Sequence, residues 1–171
     1  MENRVKQKKF VSLVLYLHNA QNEVVPFFQK VLPVFRDNFT NFEIVCVNDA
    51  CTDGTIGVLK EYLEENHCSK MVNIIHMSFF HGLESAMNAG RDLAIGDFIY
   101  EFDTAYVDYP SELIMEVYDK LLEGNDIVSA GTRDHVRMTS GFFYFCYNKT
   151  SRGRGKIGPE TFRIVSRRAI N

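Results

Sequence analysis

Long apolar runs and paired cysteines are both missing from this sequence. No apolar stretch reaches the length of about 18 residues that a membrane-spanning helix needs, so we expect no span. The four cysteines form no C-x-x-C pair and show no metal-ligand spacing. This usage predicts reduced thiols, disfavours a disulfide framework and favours a cytoplasmic protein.

An excess of charge of one sign is also missing. The chain carries 19 basic and 22 acidic residues, a formal net charge of −3, and such a molecule has no overall attraction to nucleic acid or anionic lipid. The nucleophile and phosphate-loop motifs G-x-S-x-G, H-E-x-x-H and G-x-x-x-x-G-K-[ST] do not occur. Any phosphate recognition must therefore be local and built differently.

The composition that is present is that of one globular domain. The 171 residues are 46% hydrophobic and 24% charged, which excludes a disordered chain or a coiled-coil rod. A chain of this length is long enough for one sizeable core, so we predict a single domain over residues 1–171.

Apolar patterning predicts alternating strands and helices. Residues 10–17 and 42–49 are apolar runs without alternation, typical of strands covered on both faces. Between them, apolar residues recur at helical spacing over 22–35. The same rhythm predicts helices at 53–66, 82–94 and 111–123, strands at 71–77, 97–103 and 126–132, and a short last strand in TFRIV. This order indicates an α/β fold with a mainly parallel sheet between helical layers.

Acidic residues follow two of the predicted strands. Ligands of open parallel sheets bind beyond the carboxyl ends of the strands. Asp49 ends the second strand, where an acid can accept hydrogen bonds from a nucleoside base or ribose. The alternative is a plain loop, NDACTDGT, in which Asp53 caps the next helix.

The segment EFDTAYVDYP brings Glu101, Asp103 and Asp108 to the end of the fourth strand. Such carboxylates suit a divalent cation, Mg²⁺ or Mn²⁺. Strand alternation places Glu101 and Asp103 on one face, with Ala105 beside them if the extended geometry continues. The alternative is a set of solvated acids in the loop before the helix that follows Pro110.

Four segments, taken in order, resemble the family-2 glycosyltransferases of GT-A fold, in particular the branch that acts on polyprenyl phosphates. They are VSLVLYLHNAQNE, EIVCVNDACTDGT, HGLESAMNAGRDLAIGD and FIYEFDTAYVDYPSEL. The resemblance implies a Rossmann-like three-layer sandwich, a UDP- or GDP-linked sugar donor, and a metal ion held by an Asp-x-Asp motif. It also implies transfer with inversion to a polyprenyl-phosphate or glycan acceptor, as in cell-envelope polysaccharide synthesis.

The resemblance also implies roles for individual residues. Asp103 matches the first acid of Asp-x-Asp and Asp108 the later acid, so both are predicted metal ligands. ETFRIVSRRAIN resembles an acceptor-side segment in which Thr161 takes an acid's place; Glu160 is then either the remaining catalytic carboxylate beside Asp103 or a surface acid. The predicted donor-binding residues are Tyr16, Leu17, His18, Asn19, Asp49, Asp103, Thr104 and, as a phosphate ligand, Arg163.

Several positions depart from the family's pattern. Ala105 stands at the second Asp, and a methyl group cannot ligate a cation. Tyr16 replaces a proline, Ala20 an acid, and Phe79-Phe80-His81 an Asn-x-Gly-like turn. These departures keep open a second hypothesis, a degenerate, non-catalytic module that serves in nucleotide binding or assembly.

The C-terminal part carries two further expectations. GFFYFCY beside Arg152, Arg154 and Lys156 is either an aromatic, basic edge that lies on the inner face of a membrane or a core helix with a solvated loop. The sequence ends after SRRAIN, where family members continue. We therefore expect acceptor-side segments beyond this chain.

Overall fold

A computed structural model of the chain describes residues 6–131 and 161–170. Glu160, the GFFYFCY segment, and the basic residues Arg152, Arg154 and Lys156 lie outside the described residues. The predictions made for them stay predictions.

Strands and helices alternate along the described chain as the apolar pattern predicts. The strands are β1 (Val11–Leu17), β2 (Phe42–Asn48), β3 (Val72–His76), β4 (Phe98–Phe102), β5 (Ile127–Ala130) and β6 (Phe162–Ser166). The helices are α1 (Val24–Asn38), α2 (Thr55–Glu65), α3 (Leu83–Leu93), α4 (Leu113–Leu122) and the short α5 (Arg167–Ile170), with a 3-10 turn at Ser69–Met71. Each element lies within a few residues of its predicted position.

The six strands form one sheet in the order β3-β2-β1-β4-β6-β5. The strands β3, β2, β1 and β4 are parallel, whereas β6 runs antiparallel to both of its neighbours. The predicted α/β class with a mainly parallel sheet is therefore confirmed. The predicted strand in TFRIV is confirmed as β6. It runs opposite to β4 because it starts beside the carboxyl end of β4 and continues toward the start of that strand.

Helices cover the sheet on both faces, which explains why the central strands are apolar throughout. The main core packs one face of the sheet against α1, α2 and α4, and a smaller cluster packs the other face against α3. Helix α3 lies very close to the sheet at Gly90, where an added Cβ would come within 2.4 Å of Val14 Cγ1. Only glycine fits there, so Gly90 fixes how α3 sits on β1 and β2.

Two findings in the described residues concern membrane-spanning helices and cysteine thiols. Within residues 6–131 and 161–170 no helix is long and apolar enough to cross a membrane. Cys46, Cys51 and Cys68 are free thiols, and Cys146 lies outside the described residues.

Candidate functional site

The carboxyl ends of β1, β2 and β4 bring the predicted site residues to one edge of the sheet. Leu17 of β1 pairs with Asn48, and Leu15 pairs with Phe102. Asp49 therefore follows β2 on one side of β1, and Asp103 follows β4 on the other. Two strand spacings, about 10 Å, separate them across the sheet, and Asp49 lies two residues further along the strand direction, about 7 Å. We call loops 18–21, 49–55 and 77–82 the Asp49 side of this edge, and loop 103–110 the Asp103 side.

Asp49 is fully buried, with 0% of its surface exposed. Its Oδ1 accepts the backbone N–H of His81 at 2.7 Å, and its Oδ2 accepts the N–H of Gly82 at 2.8 Å. The Oδ2 atom also accepts the hydroxyl of Tyr16 at 3.1 Å. The carboxylate thus holds the turn that precedes α3, including Gly82 with its φ of 83°. The direct contact with a nucleoside that the sequence predicts for Asp49 stays a prediction.

Tyr16 is a hydrogen-bond donor in this arrangement. Burial of its hydroxyl, and next the hydrogen bond to the Asp49 carboxylate, raise the pKa of Tyr16 to about 12. The phenol is therefore protonated at neutral pH and donates to the carboxylate. The residue that replaces a proline in the family's first loop thus stabilises the buried acid.

His18 follows β1, the strand that lies between β2 and β4. Its Nδ1 lies 2.7 Å from the backbone oxygen of Asp49. Because a carbonyl oxygen only accepts, Nδ1 carries a proton and donates it to this oxygen. The imidazole ring also lies against the Phe80 ring, with a centroid distance of 4.7 Å. His18 thus joins the first loop to the turn after β3.

The loops that follow β1 and β2 are hydrogen-bonded to each other. Asn19 Oδ1 accepts the N–H of Thr52 at 2.8 Å, and Thr55 Oγ1 accepts the N–H of Ala20 at 2.8 Å. Asn19 and Ala50 adopt positive φ angles of 52° and 53°, a conformation that costs a residue with a Cβ about 1 kcal/mol. Such strain persists only where surrounding contacts fix the backbone.

Leu17 differs from the other predicted donor-binding residues of the first loop. Its side chain is part of the main core, with 0% exposed. Its backbone oxygen accepts the N–H of Asp49 at 2.9 Å. Leu17 therefore positions the loop from the core side, through its buried side chain and its backbone oxygen.

On the Asp103 side, the strand ends and the chain bends. Asp103 is half-buried, whereas Thr104 and Asp108 are exposed. Ala105 is 1% exposed and packs in the main core. The extended geometry on which a shared face with Glu101 and Asp103 depends does not continue to Ala105, because β4 ends at Phe102 and the chain bends at Asp103.

The acids on this side do not by themselves form a complete metal site. Within the part of the chain that the structure describes, no group of three or more His, Cys, Asp or Glu side chains is arranged to hold a metal ion. The Asp103 carboxylate has the oxygen chemistry that Mg²⁺ and Mn²⁺ prefer. A cation at Asp103 would therefore take further oxygen ligands from a bound diphosphate and from water.

Glu101 belongs to a buried ion cluster and does not line the edge of the sheet that carries Asp49 and Asp103. Its side chain is 1% exposed; Oε1 lies 2.7 Å from Arg91 Nε, and Oε2 lies 2.5 Å from Arg163 Nε. The cluster connects α3, β4 and β6. Arg163, predicted to bind phosphate, is thus engaged with Glu101, and its side chain is one-third exposed.

Sequence reasoning missed Arg91, the second partner of Glu101. Arg91 and Glu101 lie on different elements, so no local spacing relates them. One signal was present: Glu101 lies inside the apolar strand FIYEF, and a glutamate buried there needs a cationic partner. That argument predicts a partner but does not say which one.

Comparison with known proteins identifies the family. The sequence model of glycosyl transferase family 2 matches residues 12–169. The chain belongs to this family. An uncharacterised glycosyltransferase of Synechocystis is 31% identical over 169 residues, covering 94% of this chain and 51% of the relative. A prophage bactoprenol glucosyl transferase homologue of Escherichia coli is 30% identical, covering 94% of this chain and 53% of the relative. The chain thus spans about half the length of these curated relatives.

Solved structures show the same fold. A mannosyltransferase from Pyrobaculum calidifontis in complex with GDP-Man and Mn²⁺ superposes with a TM-score of 0.74 at 16% identity, covering 96% of this chain and 46% of that one. Glucosyl-3-phosphoglycerate synthase from Mycobacterium tuberculosis, with Mn²⁺, UDP and phosphoglyceric acid, gives 0.71 at 13% identity, covering 94% and 56%. These likenesses confirm the GT-A fold that the sequence resemblance implies.

Proposed function

We propose that this chain is the donor-binding part of a glycosyltransferase that moves a hexosyl group from a UDP- or GDP-linked donor to a polyprenyl phosphate, with inversion. The observation that carries the proposal is the edge where three neighbouring strands end, with Tyr16 and His18 bonded to Asp49 on one side and Asp103 following β4 on the other. Relatives named as bactoprenol glucosyl transferases favour a lipid-phosphate acceptor over a free sugar.

The reaction is a displacement at the anomeric carbon. An oxygen of the acceptor phosphate forms the new bond to that carbon, while the bond from the carbon to the donor's diphosphate breaks. The acceptor phosphate is already anionic, so it needs no general base. Negative charge grows on the leaving diphosphate, and stabilising it is the main demand on the site.

Asp103 and Asp108 are the residues that we propose for holding Mg²⁺ or Mn²⁺ at the diphosphate. A divalent cation there neutralises the charge of the diphosphate. We assign Asn19, Leu17 and Thr104 to the loops around the donor. Arg163 lies in β6, beside β4, and is the proposed phosphate ligand. Glu160 remains a proposed acceptor-side carboxylate. A peripheral contact with the membrane that contains the lipid acceptor is part of the same proposal.

One observation favours the second candidate, a non-catalytic binding module. Ala105 is packed in the core, so the position of the second metal-binding Asp is occupied by an inward-facing methyl group. A module of this kind would retain the fold and would not transfer sugar.

Nucleotide binding tests the proposal directly. UDP and GDP are titrated into the chain with and without Mn²⁺ while thermal unfolding is followed. A ligand at about 100 times its Kd adds about 2.7 kcal/mol to the free energy of unfolding, so a donor site gives a metal-dependent rise in Tm. Formation of glycosyl polyprenyl phosphate from UDP-glucose or GDP-mannose then separates the enzyme from the binding module.

The Asp103→Asn variant locates the metal-linked part of binding. We expect it to fold and to lose the Mn²⁺-dependent rise in Tm, because the amide removes the charge that attracts the cation. Asp92→Asn is the matched control, since Asp92 is exposed near the end of α3, at the opposite edge of the sheet. An unchanged Mn²⁺ response in Asp103→Asn would contradict the assignment, and no response to either nucleotide in the parent chain would contradict the donor site.

A further inference from the structure

Two aromatic rings are exposed on the turn between β3 and α3. Phe79 is 63% exposed and Phe80 is 58% exposed. Exposed apolar side chains that lie next to each other, at an edge lined by polar groups, are typical of ligand-binding and interaction surfaces. These residues are also the ones that replace the Asn-x-Gly-like turn of the family.

The turn is held in place from beneath. The buried Asp49 carboxylate accepts the backbone N–H groups of His81 and Gly82 at 2.7 and 2.8 Å. The N–H of Met77 donates to the backbone oxygen of Asn48 at 2.9 Å, which fixes the start of the turn. The Phe79 ring stacks on the His81 ring, with a centroid distance of 4.0 Å and an interplanar angle of 22°. The aromatic rings are therefore presented by a fixed backbone.

Phe80 and His18 meet across the end of β2. Their ring centroids are 4.7 Å apart and their planes are inclined by 53°. The two rings thus form an angled corner above Asp49, and Phe80 keeps more than half of its surface exposed. A flat, weakly polar group can lie on Phe80 while its edge meets the polar imidazole. A nucleobase has this shape and chemistry, because every base combines a stacking face with hydrogen-bonding edges.

The corner formed by Phe80 and His18 also lies on the side of the edge where we expect the base of a bound donor. Asp103, the proposed cation ligand, follows β4 on the far side of β1, whereas Phe80 follows β3. In a nucleoside diphosphate sugar the ribose separates the base from the diphosphate. A donor whose diphosphate lies at Asp103 would direct its base toward the β2 and β3 side of the edge.

We propose that Phe80, together with His18, forms the surface on which the base of the donor nucleotide stacks. The inference rests on the proposed function. It makes Asp49 a positioning residue, which acts on the nucleotide by holding the turn that carries Phe80.

The Phe80→Ala variant tests the stack. We expect UDP and GDP to bind about 5- to 100-fold more weakly in the presence of Mn²⁺, because loss of a stacked aromatic ring costs affinity of that order whatever the base. Inorganic pyrophosphate with Mn²⁺ has no base and should bind as it does to the parent chain. Phe79→Ala is the matched control, since it removes an equally exposed ring that lies against His81 and not against His18.

Phe80→Trp supplies a second readout. The sequence contains no tryptophan, so this variant has a single indole at the proposed stacking position. We expect it to retain nucleotide affinity and to change its fluorescence when UDP or GDP binds, but not when pyrophosphate binds. Retained affinity in Phe80→Trp beside a loss in Phe80→Ala shows that binding needs an aromatic face at this position, and unchanged pyrophosphate binding shows that Phe80→Ala is folded.

Three outcomes would overturn the inference. Unchanged UDP and GDP affinity in Phe80→Ala, with binding intact in the parent chain, removes Phe80 from the site and leaves the proposed function standing. Equal losses for nucleotides and pyrophosphate show a general disturbance and not a stack. If Phe80→Ala and Phe79→Ala both lose binding to phosphatidylglycerol vesicles and keep nucleotide affinity, the rings contact lipid instead. Absence of any nucleotide binding by the parent chain would remove the proposed function itself.

Discussion

The two sides of the carboxyl edge use their acids in different ways. On the Asp49 side, the acid is completely buried and accepts three hydrogen bonds from the protein. On the Asp103 side, the acid is half-buried at a bend, and Ala105 turns into the core. An acid at the end of a strand can thus be enclosed by a loop that it holds or stay partly open to solvent, and the residues around it decide which.

Removal of the Glu101 carboxylate should have the largest effect on stability. Glu101→Ala leaves the guanidinium groups of Arg91 and Arg163 without their buried counter-charge, so we expect a loss of about 3–5 kcal/mol in the free energy of unfolding. Urea unfolding measures it. Glu123→Ala is the control, since the exposed pair of Glu123 with Lys120 should contribute no more than about 1 kcal/mol. A loss as small as that control would show that both arginines find water instead.

Restoring the missing acid at position 105 sharpens the comparison. Ala105→Asp places a carboxylate in the main core, so we expect a loss of about 2–4 kcal/mol and no gain in Mn²⁺ binding. Thr40→Asp is the matched control, because Thr40 is exposed just before β2, at the opposite end of the strands from the site, and an acid there should cost little. Urea unfolding and Mn²⁺ titration measure the two effects. Tighter Mn²⁺ binding by Ala105→Asp at unchanged stability would show that the loop can turn this residue outward.

Asp49→Asn should have a smaller effect, confined to the Asp49 side. The amide keeps one acceptor oxygen and presents an NH₂ group where a second N–H donor already lies, so we expect a loss of about 1–3 kcal/mol. Hydrogen exchange at the amides of His81 and Gly82 should accelerate. Asp92→Asn serves again as the control. If exchange at these two amides is unchanged, the carboxylate does not hold the turn.

The sequence predicts the fold better than it predicts the site. Strands such as β1 and β2 are continuous apolar runs, and α1 repeats its apolar residues at helical spacing, so local patterns are sufficient to predict them. The antiparallel direction of β6 depends on where the chain returns, which no local pattern encodes. For the candidate site, strand order alone places Asp49 and Asp103 at the same edge of the sheet.

The roles of the acids depend on contacts between distant segments. Asp49 meets residues that lie 32 and 33 positions later in the chain, and Glu101 meets Arg163 at a separation of 62. Ala105 faces inward because β4 ends at Phe102 and the chain bends at Asp103, so that strand alternation stops before residue 105. Neither the bend nor these distant partners can be derived from the spacing of residues along the chain.

The last two strands meet at the same edge as the site. Ala130 of β5 pairs with Phe162 of β6, and the N–H of Thr161 donates to the backbone oxygen of Ala130 at 2.7 Å. The end of β5 and the start of β6 therefore lie next to each other. Because the entropy of closing a loop grows only with the logarithm of its length, inserts of very different sizes can join these two points at little cost to the scaffold. An engineer who wished to graft new specificity onto this domain would make the cuts there.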